Sequence, residues 1–250
     1  MRLDVYLAEK GLTKSRAAAA ALIKACGVSV NGKIIVKNAF EVGENDNVEI
    51  VGETLKYVGR GGLKLEKALE IGKIDLRGKT CLDIGASTGG FTDCMLQNGA
   101  ERVFAVDVGT NQLDESLRGD KRVVSLENTD IRDFFPEIQF DFIGTDVSFI
   151  SLKLILPHIF RLLKTNGCAA VLIKPQFEAG NSVFGRKALS KKGVVTDEKI
   201  RLKIVAEVIE FAKQCGFAVI CSQASPITGG SGNVEYLMIL EKQNEGVNHL

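Results

Sequence analysis

Cys81-Leu-Asp-Ile-Gly-Ala-Ser-Thr-Gly-Gly-Phe91 is an apolar run that ends in a carboxylate and then breaks into closely spaced glycines. Leu82 and Ile84 favour a strand, while Gly85, Gly89 and Gly90 let the backbone turn sharply and approach a ligand. Thr88 to Gly99 then has helical composition. Strand, glycine turn and helix together are the nucleotide-binding unit of a doubly wound α/β sheet. A single glycine is more often an ordinary turn, so the reading rests on the three features in succession.

The glycines read G-x-x-x-G-G rather than G-x-G-x-x-G, and Asp83 stands just before the turn, where a pyrophosphate would be repelled. A carboxylate there suits a cofactor with a cationic head. The amino acid end of S-adenosylmethionine offers an ammonium to Asp83 and a carboxylate to the N–H groups of the helix N-terminus. Val103-Phe-Ala-Val-Asp107 is a second apolar run ending in an acid, where such folds bind ribose hydroxyls, so Asp107 is the candidate ribose ligand.

The chain has 250 residues and a net charge of +1, enough length for two unequal domains and no global field that would attract nucleic acid. Six cysteines, Cys26, Cys81, Cys94, Cys168, Cys215 and Cys221, lack C-x-x-C spacing and mostly sit in apolar runs. They read as buried thiols of a reducing compartment, and no metal is expected. The charged start and the lack of an apolar run long enough for a bilayer predict a cytoplasmic location.

Residues 1–51 read as a small α+β module. Leu3, Tyr6 and Leu7 share a helical face that Gly11 can end, and Thr13 can cap a helix from Lys14 to Cys26. Val28 to Ile35 carries Asn31-Gly32 between apolar residues, a hairpin signal, and Asn47 to Val51 alternates like another strand. Within residues 1–37 seven side chains are basic, among them Arg2, Lys14, Arg16 and Lys33, against the two acids Asp4 and Glu9. Such a run is usually a solvated face. Here Arg2-Leu-Asp-Val, Thr13-Lys-Ser-Arg16 and Gly27-Val-Ser-Val-Asn-Gly32 resemble an S4 domain, an RNA-binding module. The resemblance implies that Lys14, Ser15 and Arg16 lead toward phosphates.

Residues 52–62 are glycine-rich and form a linker, followed by a helix over Leu63 to Ile71 whose core face leaves Lys64 one position aside. Three further strands are expected over Arg122–Leu126, Phe140–Asp146 and Cys168–Lys174. The last two end in an acid and a lysine at the edge where ligands bind. Asp130 and Ile131, after the first of them, suit an adenine. Ser151 to Lys164 has the pattern of one amphipathic helix stopped by Asn166-Gly167, and His158 within it takes a structural role. Residues 179–196 lack periodicity and hold Arg186, Lys187, Lys191 and Lys192 without an acid, a pattern that fits a substrate lip. Phe217–Cys221 and Val234–Leu240 close the sheet as an antiparallel pair.

Lys64, Asp146, Lys174 and Glu235 therefore all fall at plausible mouth positions. The sheet domain, residues 63–243 with a tail at 244–250, resembles FtsJ-type RNA ribose methyltransferases, whose lysine, aspartate, lysine, glutamate tetrad these four match in order. Tyr57-Val-Gly-Arg-Gly-Gly-Leu-Lys64, Thr145-Asp146-Val-Ser-Phe-Ile, Lys174-Pro-Gln-Phe-Glu178 and Gly232-Asn-Val-Glu235, behind an S4 module, resemble more narrowly the TlyA family. The resemblance implies a Rossmann-like class I S-adenosylmethionine-dependent methyltransferase with a seven-stranded sheet. Its substrate would be a cytidine ribose 2′-hydroxyl in ribosomal RNA, free or in ribosomal subunits. Lys64, Asp146, Lys174 and Glu235 would be catalytic. Asp83, Gly85, Ser87, Gly89, Gly90, Phe91, Asp107, Val108, Asp130, Ile131 and Asp146 would line the cofactor. Phe91 stands where many FtsJ-type enzymes have a tryptophan. RNA would be held by Arg2, Lys14, Ser15, Arg16, Lys33, Arg60, Arg186, Lys187, Lys191 and Lys192.

A 2′-hydroxyl is a poor nucleophile, so an amine must orient it and take its proton, and a desolvated lysine beside a second cation is suited to that task. Lys174 near Lys64 is the candidate. Two other readings compete: a membrane-active cytolysin, which rests only on the haemolysin label the family often carries, and a non-catalytic RNA-assembly factor using the S4 module alone.

Overall fold

The computed structural model describes residues 1–24, 27–50, 56–191, 193–229 and 232–243, and within these spans the side chains of Lys24 and Arg186 are not described. Cys26, Lys192, the side chain of Arg186, residues 52–55 of the expected linker and the tail at 244–250 lie outside the described residues. The chain divides into two compact units, Met1–Arg60 and Gly61–Leu250.

In the first unit, α1 (Leu3–Glu9) and α2 (Arg16–Lys24) pack beside β1 (Val28–Val30), β2 (Lys33–Ile34) and β3 (Val48–Ile50), an antiparallel sheet of order β2-β1-β3. Asn31 and Gly32 both take positive φ, 51° and 76°, as a tight two-residue hairpin turn with right-handed twist requires. Leu3, Leu7, Ile23 and Val28 are fully buried in its core. The second helix is capped by Ser15 and not by Thr13. Ser15 Oγ accepts from the Ala18 N–H at 3.1 Å, while the Thr13 hydroxyl donates to the Ser15 carbonyl. A hydroxyl three residues before the donating N–H has N-cap geometry, and only Ser15 stands there.

The second unit begins with α3 (Gly61–Gly72) and alternates β4 (Thr80–Ile84), α4 (Gly90–Gln97), β5 (Arg102–Val106), α5 (Glu115–Arg118), β6 (Val123–Leu126) and β7 (Phe140–Thr145). It continues through α6 (Leu156–Leu162), β8 (Leu163–Ile173), α7 (Pro175–Glu178), α8 (Glu198–Gln214), β9 (Phe217–Ala224) and β10 (Tyr236–Lys242). The seven strands run β6-β5-β4-β7-β8-β10-β9, all parallel except that β10 is antiparallel to both neighbours. Chain order reverses between β4 and its neighbour β7, so their carboxyl ends open a crevice at the topological switch point. Fully buried Leu82, Phe140, Ile143, Val171 and Ile173 make the central strands apolar on both faces, which parallel strands covered by helices require.

One expectation fails. Ser151 to Lys164 is not a single helix: a 3₁₀ turn over Leu152–Leu154 precedes α6, and residues from Leu163 through Asn166 and Gly167 already belong to β8. Pro157, which has no N–H to donate, sits in the first turn of α6, where that loss costs nothing, and so marks a helix start inside the periodic stretch. The 179–196 segment carries two 3₁₀ turns, and its Ala179 and Val195 are buried with Ile204 of α8 in a small cluster of their own.

Candidate active site

The turn after β4 is built as its glycines demand. Gly85 has φ 82°, and a Cβ there would lie 2.9 Å from the Asp146 carbonyl, so only glycine lets the β4 turn and the β7 end approach. Ser87, at φ 47°, is a left-handed non-glycine residue within the same turn. Its N–H donates to Asp107 Oδ2 at 2.8 Å, and the Gly109 N–H donates to Asp107 Oδ1 at 2.7 Å. Asp107 thus ties the glycine turn to the end of β5, with Val108 exposed beside it.

Asp83 lies deeper than its place before the turn implies. It is fully buried, and its Oδ2 accepts from Thr92 N at 2.9 Å and Thr92 Oγ1 at 2.7 Å. Burial pushes its carboxyl up to about 7, against the opposing pull of the Thr92 bonds, and the nearby Asp146 and Asp107 add to the rise. Its Oδ1 is buried without a partner. An orphaned buried acceptor is costly, and an ammonium is the donor that would satisfy it best. The site therefore fits a cofactor with a cationic head, and Asp107 fits its diol. Phe91 is buried on α4, its ring against Gly144 and Gly61. Asp130 binds Arg132 at 2.6 Å and caps the turn over Ile131–Asp133, so the Arg132 guanidinium holds its carboxyl below the ordinary value. Ile131 is buried.

The four mouth residues converge. Lys64 Nζ, on α3, lies 2.7 Å from Glu235 Oε2 and 3.2 Å from Asp146 Oδ2. Lys174 Nζ lies 2.5 Å from Asp146 Oδ1. The order is therefore Glu235, Lys64, Asp146, Lys174, an alternating line with one aspartate oxygen to each lysine. Lys64 and Lys174 are each 8% exposed, and Glu235 is 3% exposed. Two ammoniums and two carboxylates balance in a region too dry to tolerate an unpaired charge. Lys64, one position off its helix's apolar face, is buried because that line needs it. Gly229 passes so close to Glu235 that a Cβ would stand 2.5 Å from Oε1.

Three contributors escaped the reading of the sequence. Thr92 holds Asp83 with two donors, Ser148 accepts from Lys174 Nζ at 3.0 Å, and the buried Glu178 accepts from Ser151 Oγ and from Leu152 N. Ser148 and Glu178 lie inside the quoted Asp146 and Lys174 motifs, where nothing in their spacing marks them out.

The basic residues divide between the units. Arg2 and Arg16 are exposed and meet at the buried Asp4: Arg2 Nε and Nη2 each donate at 3.0 Å, and Arg16 Nη2 donates at 3.4 Å. Lys14, Ser15, Lys33 and Arg60 are exposed in the first unit, and Lys187 and Lys191 in the second.

Residues 57–242 match the FtsJ-like methyltransferase family and residues 1–48 match the S4 domain. The chain is 46% identical over 241 residues to Hemolysin A of Brachyspira hyodysenteriae, covering 95% of this chain and 98% of that one. It is 41% identical over 248 residues to the 16S/23S rRNA (cytidine-2′-O)-methyltransferase TlyA of Mycobacterium tuberculosis, covering 98% and 91%. A solved structure of a hemolysin-named protein from Streptococcus thermophilus superposes with a TM-score of 0.76 at 44% identity, covering 98% and 89%. On these matches the chain belongs to the FtsJ-like methyltransferase family and, with an S4 domain ahead of the sheet, to its TlyA branch.

Proposed function

We propose that the protein is an S-adenosylmethionine-dependent methyltransferase acting on the 2′-hydroxyl of cytidine in ribosomal RNA. The observation that carries the reading is the buried alternating line of Glu235, Lys64, Asp146 and Lys174 at the carboxyl edge of β7 and β8. The names of the relatives that methylate cytidine in rRNA support the substrate class. The cofactor supplies a methyl group on a sulfonium, and the remaining work is the chain's. Asp83 and Asp107 hold the two ends of the cofactor, and the glycines of the turn from Gly85 to Gly90 let the backbone pass close to it.

Lys174, after giving up one proton to solvent, meets the 2′-hydroxyl with its lone pair and receives the hydroxyl proton as the oxygen gains the methyl. Asp146 faces the ammonium that results, and Lys64 and Glu235 fix Asp146 so that it cannot swing away. Alignment of this kind contributes about 7–11 kcal/mol to a displacement of two bound partners. The Phe149 ring, 90% exposed and three residues past Asp146, offers a stacking face for a base splayed from the RNA. Exposed Lys14, Lys33, Arg2 and Arg16 hold phosphates without reading sequence. The segment bearing Arg186, Lys187, Lys191 and Lys192 adds further cations, and Arg60 another. The division of labour follows the two matched regions, phosphate contact in the S4 unit and chemistry in the sheet unit.

The test is transfer of labelled methyl from S-adenosylmethionine to unmethylated ribosomal subunits, wild type beside Lys174→Ala, with mapping of the modified ribose. Label in rRNA that is lost in the variant while cofactor binding persists is the expected result. Cofactor binding without any labelled rRNA overturns the substrate and leaves an RNA-assembly role in its place. Among the described residues no helix is long and apolar enough to cross a membrane.

A further inference from the structure

We propose that Ser148 is a positioning residue for Lys174, fixing the amine so that its remaining valence faces the substrate hydroxyl; this rests on the proposed role of Lys174. An ammonium has three N–H bonds. In the structure the ammonium is held as an ion pair 2.5 Å from Asp146 Oδ1 and donates one hydrogen bond to Ser148 Oγ at 3.0 Å. Two fixed partners define the direction of the third bond, and on loss of a proton that same direction is the lone pair. With Asp146 alone the amine could turn about a single contact, and a misplacement of about 1 Å at a reacting atom costs about a hundredfold in rate.

The loop that carries Ser148 is tied to the turn that carries Lys174 by a second and separate contact. Phe149 has φ 65°, a left-handed conformation that a bulky residue rarely takes. Its ring lies 5.0 Å from that of Phe177, and Phe177 sits on α7, whose N–H donates to the Lys174 carbonyl at 2.9 Å. Strained backbone persists where the surroundings over-determine it, and it clusters where geometry matters to function. Here the outlier turns the chain just after Ser148, with the hydroxyl kept on Lys174 and the aromatic pair outside it. Lys174 Nζ itself lies 6.0 Å from the Phe177 ring centre, so the amine, the hydroxyl and the two rings form one connected group.

Ser148 is exposed, so its replacement by alanine removes a hydroxyl without opening a core. The experiment measures methyl transfer by full-length wild type, Ser148→Ala, Ser148→Thr, Lys174→Ala and the Lys174→Ala/Ser148→Ala double variant on the same RNA. The expected result is that Ser148→Ala loses about tenfold to a hundredfold in kcat with the KM for cofactor and for RNA unchanged. Ser148→Thr, which keeps the hydroxyl, restores most of the rate, and the double variant is no slower than Lys174→Ala because the serine acts through the lysine. An unchanged kcat in Ser148→Ala, or a loss that appears in the KM for RNA instead, overturns the proposal. Full activity in Lys174→Ala overturns the tetrad reading beneath it, whereas an inactive Lys174→Ala beside a fully active Ser148→Ala removes this inference alone.

Discussion

Two centres in this protein hold cations on carboxylates, and they are built to opposite specifications. In the first unit Asp4 gathers Arg2 and Arg16, whose side chains remain 46% and 61% exposed. In the second, Asp146 and Glu235 gather Lys64 and Lys174, whose side chains are only about 10% and 9% exposed. Guanidiniums carry five donors in a planar fork, so one carboxylate can pin part of each and leave the rest turned to phosphates in water. Ammoniums are compact point charges, suited to a dry site where a single hydroxyl oxygen must be met. The difference separates holding a polyanion from handling one proton.

That contrast breaks most visibly at the buried line. Glu235→Gln leaves Lys64 with Asp146 alone, and removing one partner of a buried pair typically costs about 3–5 kcal/mol. The expected outcome is a rate loss of about a hundredfold or more, together with a lowered urea midpoint at unchanged slope. A variant as stable and active as wild type would make the line an incidental ion-pair network. The matching change in the first unit, Asp4→Asn, should lower the unfolding midpoint less, because the arginines it releases are already 46% and 61% exposed and return to water.

A smaller effect is expected from the arginines, and it is of another kind. Arg2→Ala and Arg16→Ala should each weaken RNA binding by about tenfold and each flatten the dependence of log affinity on log salt by about one. Lys64→Ala should leave that slope alone, since a buried ammonium paired with two carboxylates releases no counterions. Binding titrations between 50 and 200 mM salt distinguish the two centres. A slope that responds to Lys64 and not to Arg2 would reverse the assignment of the two centres.

The sheet was legible because buried parallel strands read as apolar runs, and four of them here run straight into a polar residue at the ligand edge, Asp107, Glu127, Asp146 and Lys174. Asp146 and Lys174 could be placed for that reason, and Gly85 because its turn leaves no other residue. What escaped was whatever depends on side chains meeting across the fold. Lys64, taken alone, reads as a surface lysine, and only the family resemblance places it at the mouth; in the structure Glu235, 171 positions away, closes on it. The hydroxyls of Thr92 and Ser148 carry no periodic or spacing signal, since a serine or threonine near an acid is as often a turn or a cap. The break between the 3₁₀ turn and α6 was masked by continuous helical periodicity, although Pro157 marked it.

Asp83 extends the contrast to a single residue type and gives the finest test. Asp4, held by the Arg2 guanidinium, has its carboxyl below the ordinary value, whereas Asp83, buried with Thr92 as its donor and no cation beside it, is pushed up to about 7. A folded-state pKa above the unfolded value of 3.8 means that the folded protein binds this proton more tightly. The stability this provides is complete below about pH 3.8 and is lost as pH rises through about 7. Asp83→Asn mimics the protonated acid at every pH. Without cofactor, the variant should therefore melt with wild type near pH 3 and above it at pH 8, the gap opening as pH rises from 3.8 through about 7. Saturating S-adenosylmethionine should reverse the order at pH 8, because the ionised wild-type carboxylate gains the ammonium that its buried Oδ1 lacks and the carboxamide gains none. Melting curves for both proteins at the two pH values, with and without cofactor, decide it. A gap that does not change with pH would show that burial leaves Asp83 ionised throughout. A gap that grows with pH yet is untouched by cofactor would place the ammonium on another acceptor.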